Sequence, residues 1–320
     1  MNLLISPCSD PYWNLAAEVI LLKNQQENYL FLYMNKPCVV VGKHQNTLKE
    51  INSKYIYSSN TLVARRLSGG GAVYHDEGNL NFSYIQSVGP GDSLSYKSLT
   101  QSILSFLMIL IPEIELSERN DLMLRGNKIS GSAMHLFKNR VLAHGTLLIN
   151  CNLYNLSAAL KGHPDRFVDR SIESRRAPVM NLSEQNQELT PDSLISLFSE
   201  YLRKSDPNII YSQLPIELND PILELVNSKY STPTWIYGYS PKYSYSNEVQ
   251  IGLQMIPYRL EIEKGIISSV LLEENDELND DIKLSFNRLV GISHNIYSLT
   301  KSLNYVGNTP FERRIFKTLI

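Results

Sequence analysis

Reading apolar against polar positions from the N-terminus, the chain opens with a short strand over residues 3–6, ended by Pro7. Asp10-Pro11-Tyr12-Trp13-Asn14 then opens a helix over about 15–23, whose Leu15, Val19 and Leu22 fall at i, i+4 and i+7. Tyr29–Met34 and Cys38–Val41 read as strands, followed by a polar loop at 42–46 and a helical segment at 47–58. Leu62–Arg65 is a further strand, and it feeds three consecutive glycines, Gly69, Gly70 and Gly71. Beyond them, 71–76 and 80–85 alternate as strands about an Asp76-Glu77-Gly78-Asn79 turn, in which Gly78 or Asn79 can take positive φ. The expectation is a β-hairpin entered through a glycine loop, with Leu80, Phe82 and Tyr84 on one face.

Downstream, 98–111 is a strongly apolar helix stopped by Pro112. Arg125-Gly126-Asn127 forms a tight turn directly before Lys128 and a small-residue run, and 141–149 is a strand containing His144-Gly145-Thr146. A short helix at 155–161 precedes the polar, basic stretch 162–178. That stretch reads equally as a loop closing over an anionic intermediate and as a solvated connector. Residues 181–203 are helical, with Pro191 starting the second part. Residues 214–221 suggest a linker and 223–230 a short helix. After Pro241 a new unit follows: strands at 249–256, 258–264 and 266–273, turning at Gly265, then a helix at 282–290. The fold class is α+β, with a large mixed-sheet domain over 1–240 and a small C-terminal α+β domain over 241–320.

Composition narrows the function classes. With 43% hydrophobic and 19% charged residues in 320, the balance is that of a folded chain. A net charge of −2 and a pI near 6.3 supply no overall basic field for nucleic acid and no polybasic membrane anchor. Cys8, Cys38 and Cys151 are far apart and lack metal-ligand spacing, so they read as reduced structural thiols. The longest apolar run, 103–111, is too short to span a bilayer, and Met1-Asn2-Leu3-Leu4-Ile5 lacks the basic flank of a signal peptide. A cytoplasmic location is expected.

Three places can carry chemistry. The triple glycine lets a ligand approach the backbone, and its N–H groups can point at an anion. Arg65 and Arg66 just before it offer planar donors suited to phosphate or carboxylate, the alternative being two solvated arginines on a flexible loop. Lys128, set between a turn and small residues, can neutralise charge developing on an acyl phosphate, although a lone lysine is more often solvated. His144 could join His75 as a metal ligand, but no third ligand stands at a recognisable spacing; a hydrogen-bonded structural histidine is the favoured reading. Gly145 inside its strand marks a close approach of a ligand or another backbone.

The run Arg65-Arg66-Leu67-Ser68-Gly69-Gly70-Gly71-Ala72-Val73-Tyr74-His75-Asp76 resembles the signature of the lipoate–protein ligases and related lipoyltransferases. Four further blocks are similar to that family in its own order: Ser9 to Ala16, Arg119-Asn120-Asp121-Leu122, Lys128-Ile129-Ser130-Gly131-Ser132-Ala133, and His144-Gly145-Thr146-Leu147-Leu148. Trp235 to Lys242 resembles the join to the family's small C-terminal domain. The resemblance implies a biotin/lipoate protein ligase fold and an AMP-forming ligase that makes lipoyl-AMP from ATP, Mg2+ and lipoate or octanoate. The acyl group then passes to a lysine of a lipoyl carrier domain. The implied carriers are lipoyl domains of 2-oxoacid dehydrogenase acyltransferase subunits and the glycine-cleavage carrier protein, with no nucleic acid or membrane involved.

Carried over by position, Lys128 would be catalytic. Arg66, Gly70, Gly71, Ala72, Val73, Tyr74, Asn79, Asn120, Asp121, Ser130, Gly131 and Ala133 would bind ATP and lipoyl-AMP. His75, His144, Gly145 and Thr146 would border the acyl pocket. Ala143, Met134, His135 and Asn152 depart from the family pattern near that pocket. A transferase using a preformed activated acyl donor, and a non-enzymatic binder of lipoyl domains, are the alternative readings.

Overall fold

The computed structural model describes residues 1–89, 95–118, 120–273, 280–305 and 310–319. A six-stranded mixed sheet forms its centre, in the spatial order Ser132–Phe137, Arg140–Leu148, Asn79–Ser87, Tyr29–Met34, Asn2–Ile5, Ile210–Ser212. The two pairings made by Asn2–Ile5 are parallel and the other three are antiparallel. Asn79–Ser87 is buried along most of its length. Its Leu80, Phe82 and Tyr84 share one core with Ile103, Leu104 and Leu107 of the helix Gln101–Leu110. On the alternate positions Asn81 and Ser83 are buried too, and Ser83 bonds Glu18 of the helix Pro11–Asn24. One face of this strand is thus apolar, while the other sets a polar layer of Asn81 and Ser83 within the core that Phe31, Ile85 and Leu142 make with the helix. That helix starts four residues earlier than its apolar period indicates, because the Asp10 carboxylate caps Tyr12 N and Trp13 N and Pro11 suits the first helical position.

The expected hairpin does not form. The turn is present, with Asn79 N donating to Asp76 O and Gly78 N to Asp76 Oδ1, but the flanking strands enter different sheets. Asn79–Ser87 has Tyr29–Met34 on one edge and Arg140–Leu148 on the other, so no edge is left for its neighbour. Val73–His75 pairs instead with Cys38–Val41, whose other edge takes Leu62–Arg65. Neither Gly78 nor Asn79 takes positive φ. Glycine is required at 78 because a Cβ there would run into Asn150 O.

Two other expectations change. From Ile216 on, the 214–221 stretch is helical, with Pro221 in the first turn of Asn219–Leu225, where its missing N–H has no intrahelical acceptor to lose. Leu218 and Ile222 bury against the helix Pro11–Asn24 in a shared core. In the C-terminal unit the first hairpin turns at Gly252-Leu253, not at Pro257, joining Tyr243–Ile251 to Gln254–Glu263. Helices Asp280–Asn287, Ile296–Tyr305 and Pro310–Leu319 accompany it. Phe167–Val168 joins this sheet beside Tyr243–Ile251. One apolar cluster runs from Val39, Leu48 and Ile51 through Phe167 to Tyr243, Leu260 and Phe286. No helix among the described residues is long and apolar enough to cross a membrane.

Candidate active site

The glycine loop is built around one arginine. Arg66 donates from Nη2 to Gly69 O (2.6 Å) and Gly71 O (2.8 Å), from Nη1 to Val40 O (3.1 Å) and from Nε to Ser68 Oγ (3.1 Å). Burial draws its pKa down to about 10, which leaves it cationic at neutral pH. Gly70 sits at φ +87, where a side chain would be strained. A Cβ on Gly42 would collide with Gly70 O, so the 42–46 loop directly buttresses the glycines.

Arg65 behaves differently from the sequence expectation. It is fully buried, and its donors go to the carbonyls of Gly42, Lys43, Gln45, Trp235 and Ile236 and to the hydroxyls of Thr47 and Ser240. It ties the 42–47 and 235–240 segments together and has no donor left for an anion. The strand pleat sends adjacent arginines to opposite faces.

Beside the loop opens a cavity of about 450 Å³. One wall is Arg66, Gly70, Gly71, Ala72 and Val73; another is Asp121, Lys128, Gly131, Ser132 and Ala133. Lys128 comes from a hairpin whose turn residues Arg125 (φ 50) and Gly126 (φ 75) are both left-handed, pairing Met123 with Lys128. Its backbone is held from the far side by Lys128 N to Pro178 O (2.8 Å) and Met180 N to Lys128 O (3.2 Å). The ammonium lies 2.8 Å from Asp121 Oδ1, both side chains about a quarter exposed. A positive charge thus stands at an accessible wall on a rigid support.

The inner end carries two histidines. His144 Nδ1 meets Glu18 Oε1 at 3.0 Å and its Nε2 meets Ser68 Oγ at 2.7 Å. Glu18 also accepts from Tyr33 (3.0 Å) and Ser83. Burial alone would raise the Glu18 pKa, but His144 and these hydrogen bonds bring it below the usual carboxylate value. His144 is therefore a hydrogen-bonded link between the sheet's polar layer and the glycine loop. His75 meets Asn35 Nδ2 at 3.0 Å; burial, with Arg66 and His144 nearby, lowers its pKa to about 3. No cluster of three or more His, Cys, Asp or Glu able to hold a metal occurs among the described residues.

Of the residues expected at the site, Arg66, Gly70, Gly71, Ala72, Val73, His75, Asp121, Lys128, Gly131, Ala133, His144, Gly145 and Thr146 line this cavity. Tyr74, Asn79, Asn120 and Ser130 do not. Tyr74 alternates with Val73 and His75 on its strand and packs into the apolar cluster behind. Asn79 is buried, with Nδ2 on Asn81 Oδ1. Asn120, at φ 62, shapes the turn before Asp121 and accepts from Ser132 Oγ. Ser130 is buried, its hydroxyl on Gly131 O. Arg119 lies outside the described residues. Gly145 is a packing glycine, since a Cβ would lie 2.5 Å from Phe82 Cζ and 2.6 Å from Tyr96 Oη.

Sequence reasoning missed the wall made by Ile172, Glu173, Ser174, Arg175, Arg176 and Ala177, although it singled out that basic stretch. Ser174 Oγ accepts from Ala72 N (2.8 Å) and from Gln45 Nε2 (3.0 Å), which lays the segment across the glycine loop. Leu15, Tyr33, Val40 and Asn81 also line the cavity, brought there by tertiary pairing with no local signal. None of the three cysteines lines it, and burial raises the pKa of each thiol.

A family model described as the lipoyl protein ligase A/B catalytic domain matches residues 10–203. Lipoate–protein ligase 1 of Staphylococcus aureus is 36% identical over 302 residues, covering 92% of this chain and 91% of that protein. A crystal structure of P. falciparum LipL1 in complex with lipoate superposes with a TM-score of 0.60 at 25% identity, covering 99% of this chain and 98% of that one. A lipoate–protein ligase A bound with ATP gives a TM-score of 0.62 at 25% identity, covering 74% of this chain and 98% of that one.

Proposed function

The chain belongs to the lipoate–protein ligase family, and from that premise we propose that the cavity between the glycine loop and Lys128 carries both half-reactions of lipoate ligation. The enzyme is an ATP-dependent ligase. In the first step a carboxylate oxygen of lipoate attacks the α-phosphorus of ATP; the new O–P bond forms as the bond to pyrophosphate breaks. In the second, the amine of a carrier lysine attacks the acyl carbonyl of lipoyl-AMP. A C–N bond forms, AMP leaves, and the surplus amine proton passes to solvent.

The observation that carries this reading is the placement of Lys128 Nζ on the cavity wall next to the wall made by Gly70, Gly71 and Ala72. Charge develops on phosphate oxygens in the first step and on the acyl oxygen in the second, and one fixed ammonium can stabilise both. Arg66 keeps the glycine backbone shaped for the phosphate, and Gly131 and Ala133 leave room beside Lys128. Mg2+ enters as part of the nucleotide substrate. Such an ion is held by one or two carboxylates together with phosphates; Asp121 and Glu173 are the carboxylates that line the cavity, each paired with a lysine, Lys128 at 2.8 Å and Lys49 at 2.7 Å, and Asp121 stands beside Lys128 on the wall facing the glycine loop. The position of the cysteines speaks against an acyl-cysteine route.

The carriers in this proposal are lipoyl domains of 2-oxoacid dehydrogenase acyltransferase subunits and the glycine-cleavage carrier protein. Residues 1–240 hold the cavity, and 241–320 act as an accessory domain that closes over it. Lipoate-driven ATP–pyrophosphate exchange is the test. The expected result is exchange with lipoate that stops without it. No exchange, with acyl transfer from preformed lipoyl-AMP retained, would replace the ligase reading with a transferase.

A further inference from the structure

The strand Ser132–Phe137 carries features that the cavity does not use. Its inner edge pairs with Arg140–Leu148, and among the described residues no strand pairs with its outer edge. Ala133 lines the cavity, and His135 follows two residues, roughly 7 Å, further along the same face. Cations gather around that face. The exposed Lys23 and Lys138 place Nζ 5.0 Å and 5.5 Å from the centre of the Phe137 ring. Lys229 Nζ stands 3.9 Å from the centre of the Trp235 ring, and Lys43 is fixed beside the glycine loop by its N–H on Ser68 O (2.8 Å). These charges act on one another from separate segments of the chain. Burial, with Lys43, Lys23, His144 and Lys229 nearby, lowers the pKa of His135; burial, with Lys23 and Lys43 nearby, lowers that of Lys229. None of these neighbours is a carboxylate.

A chain of net charge −2 thus gathers four lysines on one surface and sets up a local positive field there. All four lie outside the cavity lining, so the nucleotide does not take them up. On the alternate positions Met134 and Leu136 are exposed. An apolar centre with a charged rim suits a folded protein partner, whereas aliphatic side chains offer nothing to a phosphate backbone. The second half-reaction brings one protein to this place. Its lysine must reach the cavity that Ala133 lines, so its surface rests within a side chain's length of this strand. Met134 and His135 are also two of the positions that depart from the family pattern, which makes the surface this chain's own.

We propose that Ser132–Phe137, with Met134 and Leu136 exposed and Lys23, Lys43, Lys138 and Lys229 flanking it, is the docking surface for the carrier domain, and that it selects a carrier with carboxylates beside the acceptor lysine. This rests on the acyl-transfer reading of the cavity and deepens it.

The test is acyl transfer from preformed lipoyl-AMP by the full chain to two acceptors: a lipoyl domain with carboxylates beside its acceptor lysine, and the same domain with those carboxylates changed to amides. The double variant Lys23→Glu, Lys138→Glu is expected to lower kcat/KM for the acidic domain roughly tenfold or more at low salt, through KM. The loss should shrink at high salt and be nearly absent with the amide domain. Lipoate-driven ATP–pyrophosphate exchange is expected to be unaffected. An equal loss with both domains, or no loss with either, overturns the proposal. A parallel fall in exchange also overturns it, by making the lysines a steering surface for the nucleotide. Duplex DNA binding that disappears in the double variant, with carrier transfer unmoved, gives the surface to nucleic acid instead. Should the variant not fold, the wild type answers: its kcat/KM for the acidic domain is expected to exceed that for the amide domain at low salt and to converge with it as salt is raised. Equal values throughout overturn the proposal. A wild type that neither exchanges nor transfers sinks the reading of the cavity and this inference with it; transfer that ignores the carboxylates sinks the inference alone.

Discussion

Lys128 Nζ and Asp121 Oδ1 stand 2.8 Å apart, one at each end of the hairpin that forms a wall of the cavity. A partly exposed pair of this kind contributes little to stability. Lys128→Met is therefore expected to leave the melting temperature nearly unchanged while slowing both adenylate formation and lysine acylation by on the order of 100-fold or more. Single-turnover assays of each half-reaction check this, and near wild-type rates would remove Lys128 from the chemistry. Asp121→Asn is expected to cost less in transfer from preformed lipoyl-AMP than in activation with ATP.

Arg65 is expected to act on stability and not on ligand affinity. Its buried guanidinium satisfies five carbonyls and two hydroxyls. Trp235 Nε1 returns a bond to Arg65 O at 2.8 Å. Lysine keeps the charge but offers three donors at a single point, too few and too localised for that set. Arg65→Lys is expected to destabilise the chain by about 3 kcal/mol or more, read from urea unfolding. Nucleotide affinity, measured by calorimetry where the variant is folded, should be retained.

Acid should weaken the fold through two buried histidines. His75 and His294 are fully buried, and burial pulls each pKa down to about 3; His294 Nδ1 bonds Tyr243 Oη at 2.7 Å. In the unfolded chain both bind a proton near pH 6.5. Their folded pKa is depressed, so protonation favours the unfolded state. Stability is complete above about pH 6.5 and declines as pH falls towards 3, by up to about 1.4 kcal/mol per pH unit for each ring. Melting temperatures from pH 7.5 to 5 should fall, and His294→Gln should flatten the slope. A melting temperature that rises on acidification would contradict the assignment.

Some of this molecule could be read directly from local pattern. Tyr29–Met34, Cys38–Val41 and Leu62–Arg65 are short apolar runs bounded by turn formers, and they are strands with those limits. The Arg125-Gly126 turn was legible because two left-handed residues in a row favour a glycine, and Lys128 follows from it. Asp10-Pro11 marks a helix start because a carboxylate cap and a proline at the first position act within three residues.

What neighbouring residues cannot specify is the partner. Val73–His75 and Asn79–Ser87 look like the arms of one hairpin, yet the longer strand has both edges taken by Tyr29–Met34 and Arg140–Leu148, and the shorter one joins Cys38–Val41. Arg65 and Arg66 are adjacent and chemically identical. The pleat turns one towards Trp235 and Ile236, some 170 positions away, and leaves the other to gather the glycine loop. The glycines and Lys128 are local chemistry and show in the chain; which arginine lines the cavity depends on what long-range packing places behind each of them.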